Sequence, residues 1–575
     1  MHLAPAARRW VFPTPADPTR VDLLSRELRL PPALCRLLVV RGFGEPALVR
    51  EFLRPHAGQV HPPLGMAGMA DAVERIVRAI RGGETILAHG DYDVDGICST
   101  ALFVRALGMM GARALPFVPH RLQDGYDLSD AGIGAAREAG ATLIVTGDCG
   151  IVAHDAVERA RAAGIDVVIT DHHTPGPTLP AAAAVVNPNR PDCAYPDKGL
   201  AGVGVAYKLC CAVAEALCFP VERLQAFLDL VAVATVADLA PLTGENRALV
   251  RWGLKVLPQT PNPGLRALLR VTGLEGRGEI SASQVAFVLA PRINAVGRMG
   301  EALRGVRLLT TDDPAEAAAI AGVLESENRW RQTVDGETLK EALAALDRSY
   351  DPARDWGVVL ASDGWHPGVI GIVASRVVER IHRPTVLIAL AGADDGKGSA
   401  RSIPGFHLYD AMHACAGHLT RFGGHRMAAG CSIRPEEVDP FRAAFNAHAH
   451  AVLDEERLVP EVRVDLELEL HHATEDLARM LRHAGPFGAG NATPVFVSRR
   501  VGLVGYPRVV GQGHLKLTLG ANGTTMEAIG FGMGERTQEP LFAGGAVDVA
   551  FKLEENHFNG RSSIQAKLVD LRAAE

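Results

Sequence analysis

Within the seven residues His89-Gly90-Asp91-Tyr92-Asp93-Val94-Asp95 the chain carries one imidazole and three carboxylates. Carboxylates packed so closely repel one another unless a cation lies among them, which makes the stretch a candidate metal site. The apolar run just before it, residues 86–88, reads as a strand. A turn at the end of that strand can point His89, Asp93 and Asp95 at one centre, and imidazole plus carboxylate is the donor mix of a manganese-type ion. The same residues also suit an acidic turn capping the helix that follows Ile97. Three further places offer similar chemistry: Asp148 in Thr146-Gly147-Asp148-Cys149-Gly150, the run Asp171-His172-His173, and Asp238 at the end of an apolar helical run from Leu228. A turn aspartate or a helix cap is the simpler account of Asp148 or Asp238 taken singly. Asp238, however, would face the negative end of a helix dipole, where a nearby cation explains it. Adjacent histidines after an aspartate, beside so many carboxylates, are hard to explain as structure alone.

These residues need elements to position them. From residue 84 to 238 strands and helices alternate: strands over 85–88, 112–118, 142–145 and 165–169, helices over 97–110 and near Ala131 and Ala156. Such alternation predicts a parallel sheet covered by helices. Ligands of such sheets gather beyond the carboxyl ends of the strands. The first, third and fourth strands end at His89/Asp93/Asp95, at Asp148 and at Asp171-His172-His173, so one edge of the sheet collects them all.

The chain has 575 residues, more than one core supports, and is 47% hydrophobic with 60 Gly and 36 Pro, an ordinary globular composition rich in turns. A net charge of −7 gives no overall basic footprint, so any nucleic-acid contact must be built locally. Nine cysteines without a C-x-x-C pair fit a reducing cytoplasm and argue against a disulfide frame or a structural zinc. No signal peptide is expected. Residues 199–220 are the most apolar, but Lys208 and Glu215 make a buried helix the better reading than a membrane span. Residues 1–80 read as a helical adaptor whose first helix is broken at Pro31-Pro32. Residues 314–346 have helical spacing interrupted only by Gly322 and Gly336. Residues 357–452 alternate strand and helix again, with a Gly-rich stretch at 396–402 whose Lys397 and Arg401 could meet phosphate, a simple hairpin turn being the alternative. Beyond Val459 the segments 462–470, 495–504, 515–519, 525–531, 546–553 and 563–571 have the spacing of a small β-barrel. Few aromatics interleave with its bases, and Phe487, Phe496, Tyr506 and Phe558 suit a core as well as stacking platforms.

In order and spacing, His89-x3-Asp93-x-Asp95, Asp148, Asp171-His172-His173 and Asp238 resemble the four motifs of the DHH phosphoesterases. Gly90 to Gly96, Asp124-Gly125-Tyr126, Pro291-Arg292-Ile293-Asn294-Ala295 and the run from Phe422 to Gly430 are similar to the bacterial single-strand-specific DNA exonucleases of that superfamily. The resemblance implies an α/β architecture in which a DHH parallel-sheet domain and a DHHA1 α/β domain are joined by a long helix and followed by a C-terminal OB-fold β-barrel. Its boundaries would be an adaptor at 1–80, DHH at 81–312, the helix at 313–350, DHHA1 at 351–456 and the OB-fold at 457–575. It further implies 5′ to 3′ degradation of single-stranded DNA to 5′-mononucleotides, in repair and recombination. Two Mn2+ or Mg2+ ions would be held by His89, Asp93, Asp95, Asp148, His172 and Asp238, with Asp148 best placed to bridge. His173 would contact the scissile phosphate and Asp171 would orient the site, while Arg121, Tyr126, Arg292, Ser399 and Arg401 would handle the strand's 5′ end. A cytoplasmic monomer with no membrane contact is expected, with single-strand-binding protein and a helicase as candidate partners. Two alternatives stay open: a DHH hydrolase of short oligonucleotides or cyclic dinucleotides, which would lack the adaptor and barrel, and a non-catalytic single-strand-binding relative, which would have lost the ligands.

Overall fold

The structure is a computed structural model that describes residues 8–120, 124–125, 127–299, 301–390, 395–539, 546–558 and 561–574. The chain divides into two compact units, one formed by Asp17–Asn328 with Asp476–Thr493, the other by Met1–Ala16, Arg329–Glu475 and Pro494–Glu575.

The first unit is built on a five-stranded parallel sheet in the spatial order Arg113–Phe117, Thr85–Gly90, Ala141–Gly147, Asp166–Thr170, Ala184–Val186. All six residues of Thr85–Gly90 are buried, as a strand covered on both faces requires. One face is covered by helices Val94–Met109 and Gly202–Ala216, whose Ile97, Leu102, Val205 and Leu209 share a core with Ile86 and Val145; Ile133, Val157 and Ile169 fill the other face. The chain steps from the first strand to one side and then to the other, so the topological switch point lies between Thr85–Gly90 and Ala141–Gly147. The strand Ala184–Val186 was not legible in sequence, being three residues long before a Pro-rich turn. Helix Gly202–Ala216 is buried almost throughout, and its Lys208 meets Glu245 Oε2 at 2.8 Å while Tyr195 Oη donates to Glu245 Oε1 at 2.7 Å. The prolines at 31 and 32 separate helices Pro18–Leu28 and Pro32–Val40, the second proline being tolerated at a first helical position. Segment 476–493 joins this unit through Leu242 N donating to Ala489 O (2.7 Å) and Arg251 Nη1 donating to His483 O (2.8 Å).

Asp229 in helix Leu228–Ala237 is buried and accepts from Thr260 Oγ1 (2.5 Å) and Leu230 N (2.6 Å). Burial outweighs those bonds and pushes its carboxyl up to about 6. The folded state therefore binds this proton more tightly than the unfolded chain, and stability falls as pH rises from the ordinary aspartate range to about 6, by roughly 3 kcal/mol in all. Asp229→Asn should raise the urea midpoint at pH 8 and leave a smaller difference from wild type near pH 4.5. A constant difference at both pH values would refute the assignment.

In the second unit a sheet runs in the order Arg421–Gly424, Ala428–Ile433, Gly396–Arg401, Thr385–Ala389, Val358–Ser362. The expected Gly-rich loop at 396–402 is in fact an interior strand. Its glycines answer to packing, since a Cβ on Gly398 would lie 2.3 Å from Cys431 Sγ. The helix Pro314–Ser349 is continuous over 36 residues, and the unit boundary falls within it. Gly322 and Gly336 do not break it, each costing only about 1 kcal/mol against alanine in a helix interior. The C-terminal strands form a seven-stranded sheet, curled so that Phe496–Leu503 pairs with both Ala546–Phe558 and His514–Ala521. The strand expected over 462–470 is divided. Glu461–Arg463 pairs with Arg9–Val11, Leu466–Glu467 pairs with Phe496–Val497, and the chain changes sheets at Asp465. Among the described residues no helix is long and apolar enough to cross a membrane.

Candidate metal centre

The register of the central strands sets His89 beside Thr146 and Gly90 beside Gly147, so the next residues, Asp91 and Asp148, emerge at one edge. The turn there is tight. A Cβ on Gly90 would lie 2.1 Å from Thr100 Oγ1, and one on Gly96 2.3 Å from the Asp91 amide. Asp93 caps helix Val94–Met109, accepting from Asp95 N (2.9 Å) and Gly96 N (3.1 Å). The remaining first-turn amide, Val94 N, donates to Asn294 Oδ1 at 3.2 Å from helix Ala290–Met299, where Gly297 abuts the Tyr92 carbonyl. Asp95 is buried and accepts from Gly202 N and Val203 N, both at 2.8 Å, at the positive end of helix Gly202–Ala216. Asp148 sits at φ 66°, a left-handed conformation that aspartate adopts more readily than most residues. Asp171 accepts from His172 N (2.7 Å), His173 N (3.0 Å) and Ile151 N (3.0 Å), and its Oδ1 lies 2.8 Å from His173 Nδ1. Asn187 Nδ2 donates to His173 O (2.9 Å) and Asn189 Nδ2 to His172 O (2.6 Å), fixing the main chain of both histidines from outside.

Three sets of donor atoms lie within 4.8 Å of one another: Asp148 with His172 and His173, Asp95 with His172 and Asp238, and Asp91 with Asp93 and Asp148. Asp148 and His172 each belong to two sets. His172 Nε2 lies 3.0 Å from Asp148 Oδ1, 3.8 Å from Asp238 Oδ2 and 4.0 Å from Asp95 Oδ2. Burial and the carboxylates of Asp238 and Asp93 push Asp95 well above the usual range; burial, Asp95 and Asp93 do the same to Asp148; burial and Asp93 push Asp238 to about 7. Burial and His173 lower His172 to about 4, leaving a neutral imidazole with a lone pair to offer. Burial would lower His173, but the Asp171 hydrogen bond and the surrounding carboxylates raise it to about 9, and Asp171 is correspondingly held low despite its burial. Asp148 Oδ1, His172 Nε2 and His89 Nε2 are buried and make no hydrogen bond among the described residues. Orphaned acceptors cost about 1–3 kcal/mol each, and mutually repelling carboxylates add to that. A divalent cation relieves both, so this donor set fits one.

Asp93, Asp95, Asp148, His172 and Asp238, named from sequence, all contribute atoms to these sets. His89 stands apart: Nδ1 is 3.7 Å from Cys149 Sγ, and Nε2 faces Gly132, where a Cβ would lie 2.7 Å away. Asp171 supports the histidines and belongs to none of the three sets. Arg121 and Tyr126 lie outside the described residues. Arg292 Nε is 2.6 Å from Glu325 Oε2, and its Nη1 donates to Val288 O at 2.5 Å. Ser399 and Arg401 adjoin one another, Nη1 donating to Oγ at 3.2 Å. Both face the first turn of helix Ile370–Ile381, where a Cβ on Gly371 would lie 2.9 Å from Ser399 Oγ and 3.0 Å from Arg401 Nη2. Of the four barrel-region aromatics named from sequence, Phe496 is buried, Phe487 half-buried and Tyr506 95% exposed, so Tyr506 is the one of these three open to stacking; the Phe558 side chain lies outside the described residues. Sequence reasoning missed Asp91, although it is the third carboxylate of the loop. It also missed Asn187 and Asn189, whose amides carry no local signal, and the exposed Phe531, which has Lys567 Nζ 5.3 Å from its ring centre; Asn294 figured only as part of the run 291–295, without a role.

A parallel sheet with carboxylates and a histidine pair at its switch point defines a phosphoesterase of the DHH class, and residues 85–235 match the DHH family N-terminal domain. Residues 356–451 match the DHHA1 domain and residues 464–570 the RecJ OB domain. The chain is 40% identical to the single-stranded-DNA-specific exonuclease RecJ of Dickeya dadantii over 93% of its own length and 95% of that protein. It is 36% identical to the Bacillus subtilis RecJ over 99% and 71% respectively. Among solved structures, Thermus thermophilus RecJ in complex with Mn2+ superposes with a TM-score of 0.83 at 34% identity over 99% of this chain and 80% of that one. The Mg2+ complex gives 0.79 at 33%, covering 99% and 79%. This chain belongs to the RecJ family of single-stranded-DNA-specific exonucleases.

Proposed function

We propose that this chain hydrolyses single-stranded DNA from the 5′ end to 5′-mononucleotides, using two ions of Mn2+ or Mg2+ held by His89, Asp93, Asp95, Asp148, His172 and Asp238. The observation that carries the reading is the chain of three donor sets, the first joined to one of the others through His172 and to the remaining one through Asp148, with the Asp148 Oδ1 and His172 Nε2 acceptors buried and without hydrogen bonds among the described residues. When bound, the two ions would ready a water and offset charge on the leaving oxygen. The chain's own residues do the rest. Asp148 belongs to two of the three sets, Asp95 is locked by the amides of Gly202 and Val203, and His173, oriented through Nδ1 by Asp171, would contact the scissile phosphate. Residues 81–312 would carry the chemistry, with 351–456 and 457–575 holding the strand, the adaptor at 1–80 bracing the catalytic part and the helix at 313–350 linking the two. The reading extends to a cytoplasmic monomer acting in repair and recombination beside single-strand-binding protein and a helicase. The test is digestion of end-labelled single- and double-stranded DNA with either end blocked, with Mn2+, Mg2+ or chelator. Release of label from a 5′-blocked strand as readily as from a free one would overturn the polarity.

Ser399 and Arg401 at a helix N-terminus make a setting for a terminal phosphate, alongside Arg121, Tyr126 and Arg292. Arg401→Ala should lower activity on 5′-phosphorylated strands about 10- to 100-fold more than on 5′-hydroxyl strands, since a charge-assisted contact is lost only where that phosphate exists. Equal loss on both would remove the end-recognition role. Despite the net charge of −7, affinity for a dT oligomer without metal should fall ~10- to 1,000-fold between 50 and 200 mM salt as locally gathered cations release counterions. Salt-insensitive anisotropy would count against a phosphate-tracking surface.

A further inference from the structure

Trp330, on the helix Pro314–Ser349, is 46% exposed although it is a large apolar ring. It meets His366 edge-on, with centroids 5.7 Å apart and planes at 83°. His366 is itself fixed, its Nδ1 accepting from Gly368 N at 3.0 Å and its carbonyl from Val369 N at 3.1 Å. The neighbouring Trp365 is buried and donates Nε1 to Glu341 Oε2 (2.9 Å) on the same long helix, and Arg376 Nη2 lies 3.1 Å from Asp335 Oδ2. The part of the long helix from Arg329 on, the loop and helix Ile370–Ile381 are thus tied together within one unit, and Trp330 is held at a set place on it. Gly371, the residue that faces Ser399 Oγ and Arg401 Nη2, follows His366 by five positions of turn and first helical turn, a path of roughly 8–10 Å. The exposed Trp330, backed by the half-buried His366, and the phosphate-suited corner are thus joined by a short stretch of chain, on the scale of a few nucleotide units of one strand.

We propose that Trp330, backed by His366, is a stacking platform for a nucleobase near the 5′ end of the strand. The proposal rests on the reading that Ser399 and Arg401 take a phosphate. An aromatic face accepts every base, which suits an enzyme that must advance through any sequence, and the indole offers the largest such face. Because Trp330 is half out of the protein, its removal leaves no cavity in a core, and its role can be separated from folding.

The test uses the full chain without metal and anisotropy with two 5′-phosphorylated oligomers labelled at the 3′ end, one of dT throughout, the other abasic over its first nucleotides. Trp330→Ala should weaken binding of the dT strand about 5- to 100-fold, while Trp330→Phe stays close to wild type. On the abasic strand wild type and Trp330→Ala should bind alike, and the thermal midpoint should not move. Unchanged affinity of Trp330→Ala for the dT strand, or equal weakening on both strands, overturns the platform and leaves Trp330 to a protein partner or to packing. A dT-selective loss in Trp330→Ala together with Arg401→Ala indifferent to the 5′ phosphate keeps the platform and removes the phosphate assignment. Absence of wild-type binding to either strand overturns both.

Discussion

Asp148→Asn is expected to lower turnover on single-stranded DNA by at least ~1,000-fold while leaving the metal-free protein as stable as wild type or more so. The two effects have opposite signs for one reason. Asp148 Oδ1 is buried, 3.0 Å from His172 Nε2 and 3.8 Å from His173 Nδ1, and shares a further donor set with Asp91 and Asp93. Losing its charge weakens the hold on both ions, yet it also removes one of several carboxylates that burial and mutual repulsion disfavour when no cation is present. Asparagine is the informative replacement because the position has φ 66°, where it is tolerated. Asp148→Ala should lose activity equally but give up about 1 kcal/mol of stability to the left-handed backbone. Activity against an end-labelled strand and thermal midpoints in chelator measure the two halves. Near-normal turnover in the asparagine variant would sink the two-ion assignment.

Gly202→Ala should cost at least ~100-fold in activity and about tenfold or more in metal affinity, although the change is one methyl group far from Asp148 in sequence. Gly202 starts the helix whose amides hold Asp95, and a Cβ there would lie 2.8 Å from both Cβ and Oδ1 of Asp148 and 3.0 Å from its Cα. The Cα and Cβ of Asp148 can move only with its backbone, so either the Asp148 turn or the helix start must shift, and the first carries a donor while the second holds Asp95 through its amides. Gly108→Ala is the matching control. It lies near the end of helix Val94–Met109 with nothing within 4 Å of its added Cβ, and alanine there should be neutral or stabilising by up to about 1 kcal/mol. Calorimetric Mn2+ titration of both variants, beside their activities, decides the matter. Equal metal affinity in Gly202→Ala and wild type would show that the contact between helix and turn is not what places Asp148.

The chemistry of this chain was legible because it is local. A loop with three carboxylates and an imidazole, a histidine pair after an aspartate, and the alternation of strands with helices are visible within short windows, and together they foretold a parallel sheet with its donors at one edge. Their spacing also led to the DHH superfamily before any coordinates. What sequence left undecided depends on which loops meet. Asp91 was passed over and lies in a donor set, because the strand register and the turn at Gly90 decide which way each side chain leaves the edge. Asn187, Asn189 and Asn294 have no chemistry of their own to announce. Their amides matter only because folding sets them against the carbonyls of His172 and His173 and the amide of Val94. The glycine-rich stretch at 396–402 was read as a loop, since flexibility is glycine's local signature. It is an interior strand because it pairs with a neighbour on each side, and its Gly398 leaves the room that Cys431 across the sheet takes up. Residues 9–11 and 476–493 likewise joined units that their position in the chain does not suggest, because short strands and capped turns draw most of their stability from distant partners. Residue types and their spacing thus determined the reaction this protein is equipped for, while the tertiary structure alone decided which atoms face the ions and what holds them there, since hydrogen-bond partners and packing contacts are set by approach in space.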